Sequence, residues 1–454
     1  MGFVLTLLYI SLALLSPDRL LPTLVEYRVE LLLAIVTLLV SAPRLLDRRF
    51  LRTPQVYLLA GMLAAVFISQ ALDTSWLGAG FNAVEQFLSL SIAFYLIVLN
   101  CDTLRRLKVL TYLLIFVAVL YIVQGSRAYL AGDVTSPLLK VITASDGSVS
   151  FRMQGQGFLY DPNDFAQFLV MVLPFIWMGW RQRAYVRNFF FVLAPSALFV
   201  WGVYLTHSRG GMLALAVIMV LSLRERTNVV SALAGGLVAF AAFVALNFSG
   251  GREISLQAGS DRMGLWGDGL QMFKQSPLFG VGFHGFAGHD FGLTAHNSFV
   301  VCLAELGIVG YLFWIGLIVV TVAALTSLIS ALKQKRTAEL LGSNSMPAGK
   351  QLSQSGLDLN PQEAEEIERW ARAFRISLGG FVAAGWFLSR AYVITLYVVL
   401  GMAVTLLWQV ASEEEPIMRR PAGRLLALTV ASGLAAIFLI YMSLRLRGII
   451  ALFG

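Results

Sequence analysis

The feature that most constrains this chain is the recurrence of apolar runs close to the length that crosses a bilayer. They fall at Phe3–Leu15, Leu31–Ala42, Val56–Leu72, Ala83–Leu99, Val109–Val123, Phe165–Trp180, Phe189–Leu205, Met212–Leu223 and Val229–Phe248, then at Phe299–Ile329, Ile376–Leu388, Ala391–Val410 and Leu425–Leu444. A helix needs about 20 such residues to span the hydrocarbon core. Only 13% of the 454 residues are charged, against roughly 25% in a soluble domain, so too little polar surface is available to cover a water-soluble fold. The sequence therefore predicts an all-α polytopic membrane protein with about 12–13 transmembrane helices. Cys101 and Cys302 stand far apart and give no disulfide framework or metal-ligand spacing.

The formal charge of +8 would fit a nucleic-acid partner until the basic residues are placed. Arg44, Arg48, Arg49 and Arg52 share one connection, Arg105, Arg106 and Lys108 a second, and Arg181, Arg183 and Arg187 a third. Arg224 and Arg226, the stretch from Lys333 to Arg375, and Arg419 to Arg424 continue on every second connection. That alternation is the positive-inside pattern. It puts most of the 34 basic residues on the cytoplasmic side and removes nucleic acid as a partner. Only the last helix runs against it, carrying Arg445 and Arg447 outward.

Four regions follow: N-terminal transmembrane helices over 1–126, a core over 127–330, a cytoplasmic loop with a short helix over 331–375, and C-terminal transmembrane helices over 376–454. Two outer connections in the core, 127–163 and 249–295, are long enough to be functional. The second holds Leu265, Trp266, Leu270 and Phe273 at helical spacing, which predicts a short amphipathic helix there. Asn360-Pro361 followed by acidic residues predicts the cytoplasmic helix. Ile376–Val410 is too long for one span, so a hairpin turn is expected near Ser389-Arg390.

Polar residues gather in three outer segments: Arg152–Phe168, the turn Thr206-His-Ser-Arg-Gly-Gly211, and Ser276-Pro-Leu-Phe-Gly-Val-Gly-Phe-His-Gly285 leading to His296-Asn297 and Glu305. Arg209 has two readings, an interfacial arginine or a bidentate anion ligand approached by the amides of Gly210 and Gly211. Arg262 is either a solvated charge or a second ligand of the same kind. His296 suits general-base chemistry near neutral pH. Asn297 caps the following helix or serves the site, and Glu305 pairs with an arginine or has a structural partner. Asp161 and Asp164, around Pro162, either start a helix or hold a metal. Gly280-Val-Gly-Phe-His-Gly285 matches a dinucleotide fingerprint only in letters, since no βαβ unit surrounds it.

With these residues in view, the chain resembles the O-antigen ligase and polymerase superfamily of bacterial envelope glycosyltransferases. The likeness lies in Asp161-Pro-Asn-Asp-Phe-Ala166, Thr206-His-Ser-Arg-Gly-Gly211, Arg262 with Trp266, Pro277-Leu-Phe-Gly-Val-Gly282, and His296-Asn297 with Glu305-Leu-Gly307. The resemblance implies a GT-C-like membrane enzyme that takes a glycan from undecaprenyl diphosphate and transfers it, with inversion and without a metal or other cofactor, to a sugar hydroxyl. On that reading Arg209 and Arg262 hold the diphosphate, His296 is the base, and Arg152, Asn163, Ser208, Gly210, Asn297 and Glu305 bind substrate. The expected acceptor is lipid A–core or a related glycan, and the expected place is the bacterial inner membrane with the site facing the periplasm. The alternatives are a polysaccharide polymerase and a protein O-oligosaccharyltransferase. A solute transporter would instead bury ionisable groups deep in several helices, whereas the polar residues here collect at one face.

Overall fold

A computed structural model describes residues 1–16, 27–143, 149–246, 256–289, 294–341, 359–410 and 422–453. Its main helices are α1 (Gly2–Leu15), α2 (Val29–Ser41), α3 (Pro54–Thr74), α4 (Leu77–Asn100), α5 (Leu104–Ala131), α6 (Pro162–Trp177), α7 (Ala194–Thr206) and α8 (Arg209–Arg224). There follow α9 (Val229–Ala245), α10 (Leu256–Gln275), α11 (Ser298–Leu341), α12 (Pro361–Gly385), α13 (Ile394–Val410) and α14 (Ala422–Phe453). Among the described residues, seven helices are long and apolar enough to cross a membrane, and α1, α9 and α13 are shorter apolar helices. The protein is an all-α polytopic membrane protein.

The bundle is layered by exposure rather than by charge. α13 is buried without interruption from Ile394 to Trp408, and α6 from Phe165 to Ile176, so these two helices form its centre. α2, α9 and α14 leave large apolar side chains outside, among them Leu32, Leu237 and Phe438, as a lipid-facing surface requires. Glycines let the central helices approach closely. A Cβ on Gly380 would stand 2.6 Å from Ile218 of α8, and one on Gly401 3.2 Å from the Phe94 carbonyl of α4. Such contacts carry most of the helix association, because lipid tails offer no hydrophobic driving force between helices. Buried polar pairs add about 0.6 kcal/mol each on average; examples are Gln55 Nε2 to Thr321 Oγ1 at 3.2 Å and Trp408 Nε1 to Thr53 Oγ1 at 2.9 Å.

Local chemistry starts and stops the elements that frame the site. Asp161 caps α6 by accepting the Asn163 amide at 2.8 Å, with Pro162 in the first turn. α5 ends at Gly132, which takes a φ of 62°. Asn360 and Glu363 close a capping box at α12. That helix then runs unbroken to Gly385, so the short cytoplasmic helix expected near Asn360 is the first part of a longer one. The hairpin turn expected near Ser389-Arg390 is the segment 386–393 between α12 and α13.

Two features depart from the sequence reading. The connection after α5 contains an antiparallel pair, β1 (Leu139–Thr143) and β2 (Val149–Met153), in the register Lys140 opposite Arg152. Alternating β-branched and aromatic residues favour strands there. The second is a break inside α11 at Gly307, with φ 60° and ψ −167°. A Cβ at Gly307 would lie 2.4 Å from the Leu278 carbonyl, and one at Gly280 (φ 75°) 2.3 Å from the carbonyl carbon of Glu305. The two glycines thus let the Pro277–Gly282 loop lodge in the break, held by Val281 N to Ala304 O at 3.0 Å and Ile308 N to Pro277 O at 2.9 Å.

Candidate active site

The site is assembled from helix starts. α7 stops at His207, whose φ of 48° is left-handed, and its Nε2 stands 3.0 Å from the Tyr129 hydroxyl. Ser208 then caps α8: its Oγ accepts the Gly211 amide at 3.2 Å and donates to Asn163 Oδ1 at 2.8 Å. The same Oδ1 accepts from Arg152 Nη2 at 3.2 Å, while Arg152 Nε donates to the Thr206 carbonyl at 2.9 Å. β2, the start of α6 and the α7–α8 turn are therefore tied through Asn163. This fixes Arg209 as the first residue of α8, half-buried, where the unpaired amides of the helix end favour an anion.

A second group surrounds His296. On its N-terminal side Trp266 of α10 donates Nε1–H to the Ala295 carbonyl at 2.8 Å. On the other, Asn297 Oδ1 accepts the Phe299 and Val300 amides at 2.9 and 3.1 Å, and its Nδ2 donates to the Trp386 carbonyl at 3.1 Å. His296 itself has a φ of 50°, a left-handed conformation that costs of order 1–3 kcal/mol outside glycine. The anchors on both sides hold it there. α10 is the amphipathic helix expected around Trp266, and it carries Arg262, whose side chain lies outside the described residues.

The segment 386–393 joins the two groups. Ser298 Oγ donates to the Leu388 carbonyl at 2.7 Å and accepts the Arg390 amide at 2.8 Å. Leu388 in turn packs on Gly210, where a Cβ would approach it to 2.7 Å. Arg390 reaches the start of α6, with Nη2 2.9 Å from Asp161 Oδ1 and Nε 2.7 Å from Asp164 Oδ1. The second contact is an ion pair without hydrogen-bond alignment. Lys140 lies 3.4 Å from Asp161 Oδ2. Burial by itself raises the Asp161 carboxyl, but Arg390, the Asn163 amide and Lys140 outweigh it and hold the group below the ordinary carboxylate range. Burial and then the Arg390 charge push the His284 imidazole below its usual value.

The expected ligands divide accordingly. Arg152, expected on the anion, is 8% exposed and braces Thr206 and Asn163. Asn163 and Ser208 bond to each other. Gly210 faces Leu388, so its missing side chain serves close packing. Asn297 is a helix cap. Glu305, expected beside an arginine or a structural partner, has the second: its carboxyl lies by Tyr392 and the amides of His284 and Phe286, and its carbonyl accepts Ser69 Oγ at 2.6 Å. Asp161 starts a helix and pairs with cations. Among the described residues no group of three or more His, Cys, Asp or Glu is arranged to hold a metal. Arg390 was not foreseen as a site residue, although it is another arginine on a connection outside the positive-inside set.

A comparison with curated proteins gives no match. Residues 194–315, which carry Ser208, Arg209, Arg262, His296 and Glu305, match the family model described as Wzy_C, O-Antigen ligase. That family implies a glycosyl-transfer enzyme whose substrates are, in general, a lipid-linked glycan and a glycan acceptor. The matched segment thus places residues 194–315 in similarity to the O-antigen ligase family, in the part of the chain that carries the candidate site.

Proposed function

We propose that the protein transfers a glycan from an undecaprenyl diphosphate carrier to a sugar hydroxyl on lipid A–core or a related acceptor, at the periplasmic face of the inner membrane. The observation that carries this reading is the shared turn 386–393, which seats on Gly210 beside Arg209 and on Asn297-Ser298 beside His296. A fixed cation and a fixed base thereby share one polar end of the bundle.

The chemistry follows from charge. As the anomeric C–O bond breaks, negative charge grows on the leaving diphosphate. Arg209, fixed at a helix start, stabilises that charge more in the transition state than in the ground state, and Arg262 is the second ligand assigned to it. The acceptor oxygen attacks from the opposite face of the sugar, giving inversion, and its proton passes to His296. Arg152, Asn163 and Ser208 contribute by holding the start of α8 still, so that little reorganisation accompanies the charge shift.

The test is reconstitution in lipid with an undecaprenyl-diphosphate glycan and three acceptors: lipid A–core, free glycan and a protein. Product on lipid A–core, undiminished by EDTA, is expected. Product only on glycan or protein would replace ligase by polymerase or protein glycosylation. No consumption of donor with any acceptor would overturn the reading.

A further inference from the structure

The turn between α12 and α13 lies outside residues 194–315, yet it contacts Gly210 beside Arg209, Asn297 and Ser298 beside His296, and the start of α6. Trp386 supplies a carbonyl to Asn297, and its ring meets that of Trp266 edge-on at 6.1 Å. Leu388 fills the space left by Gly210 and accepts from Ser298. Tyr392 packs on Phe283, centroid to centroid 5.0 Å. Arg390 alone in this turn makes ion pairs, and both its partners, Asp161 and Asp164, stand in the first turn of α6 or at its cap. Its main-chain amide meanwhile donates to Ser298, two residues beyond His296.

From this arrangement we infer that Arg390 is a positioning residue: its pairing with Asp161 and Asp164 fixes the His296 segment relative to the α6 and α8 helix starts, and so sets the alignment of base and leaving-group site. The local charge supports a clasp rather than a substrate ligand. Two acids face Arg390 from the start of α6, and among the described residues the other cation paired with them is Lys140, on β1. With Nη2 2.9 Å from Asp161 Oδ1 and Nε 2.7 Å from Asp164 Oδ1, the guanidinium is taken up by these two acids, and the Asp161 carboxylate disfavours an incoming phosphate by like-charge repulsion. Removal of Arg390 releases the side-chain link to α6. The links of the turn to Asn297 and Ser298 remain, so turn and His296 segment would shift together instead of separating.

This inference rests on the proposed transfer reaction for its kinetic arm, and a second arm is independent of activity. Hydrogen exchange in the intact protein in nanodiscs reads the amides of 294–300 and 386–393. In Arg390→Met both segments should exchange about tenfold faster or more, while Arg390→Lys, which keeps the charge, should recover part of the protection. In the transfer assay Arg390→Met should lower kcat about 10- to 100-fold with the KM for the lipid-linked donor within about threefold, and Arg390→Lys should lie between it and wild type (an effect of this order corresponds to one to two factors of ten in barrier crossing). The triple variant Asp161→Asn/Asp164→Asn/Arg390→Met removes all three charges together and guards against misfolding from unpaired carboxylates. It should stay as slow as Arg390→Met. Wild-type kcat in the triple variant would show that only charge balance mattered and would overturn the inference. So would a selective rise in KM, which marks a substrate ligand, or unchanged exchange in both segments. Absence of transfer by the wild-type protein would instead count against the reaction and leave the exchange arm to decide on the clasp.

Discussion

The two ends of the bundle both carry buried or half-buried arginines and use them differently. At the end opposite the site, Glu225 just beyond α8 pairs with Arg372 and Arg375 of α12, and Glu368, 4% exposed at its side chain, pairs with Arg372 and with Arg336 of α11. Three helices are cross-linked there by opposite charges. At the site end Arg152 is satisfied by a carbonyl and an amide oxygen, and Arg209 sits at a helix start. Arg390 pairs with two acids, both on the cap turn of α6. Arginines paired with acids on neighbouring helices lock a structure, whereas at the site end Arg152 braces a turn through a backbone carbonyl and a side-chain amide, and Arg209 is set by the start of its helix. The ends are also joined mechanically: α8 runs from Arg209 to the Glu225 lock, and α12 runs from Arg372 to the turn that carries Arg390.

The sharpest way to break this contrast is to change the chemistry at the site end without touching the lock. His296→Ala should lower kcat by about 10²–10⁴, the range for loss of a general base, which corresponds to about 3–5 kcal/mol of barrier. Ala keeps the left-handed backbone strain at this position, so the unfolding temperature reads the loss of side-chain contacts alone and is measured beside kcat to separate a folding defect from loss of the base. Near-native transfer by the purified variant would remove His296 from the mechanism.

The opposite end should respond in the opposite way. Glu225→Gln leaves Arg372 and Arg375 without that carboxylate. Removing one partner of a buried pair costs about 3–5 kcal/mol, and since Glu225 is 15% exposed at its side chain, a loss of about 2 kcal/mol is expected after solvent screening. Thermal unfolding in detergent should shift down, while kcat per folded molecule stays within about threefold. A large fall in kcat with unchanged stability would mean that the lock tunes the site through α8 and would dissolve the distinction between the ends.

How much of this was legible depended on range along the chain. The apolar runs gave the helices because hydropathy is a local property, and the caps at Asp161 and Asn360 were readable because a cap involves residues within one turn. The amphipathic spacing around Trp266 likewise marked α10. The sequence also marked the polar segments that the fold links through Asn163 and the 386–393 turn. It could not say which of their side chains bond to one another: Arg152 reaches Thr206 across 54 positions, and Asn163 reaches Ser208 across 45. That Gly210 also packs on Leu388 is invisible in the sequence because the two lie far apart along the chain. Arg390 was visible only as a turn residue for the same reason. The β1–β2 pair is not legible because each strand is only five residues long within a chain dominated by helical runs.

The smallest expected effect lies at the rim of the site end, where the contrast between the two ends is weakest. Lys140 is half-exposed and 3.4 Å from Asp161, so Lys140→Met should change stability by at most about 1 kcal/mol and transfer by less than about twofold. Its signature is in pH instead. Asp161 is held below its ordinary range, so the stability it contributes is present above that range and is lost as pH falls through the lowered value in the folded protein. Arg390 and the Asn163 amide remain in the variant and keep the carboxyl depressed, but with one cation fewer it is depressed less. The acid limb of the unfolding profile should therefore begin at a higher pH than in wild type, with neutral-pH stability nearly unchanged. An acid limb that does not move would show that Lys140 is a solvated charge with no share in the clasp, leaving Arg390 as the cation that Asp161 answers to.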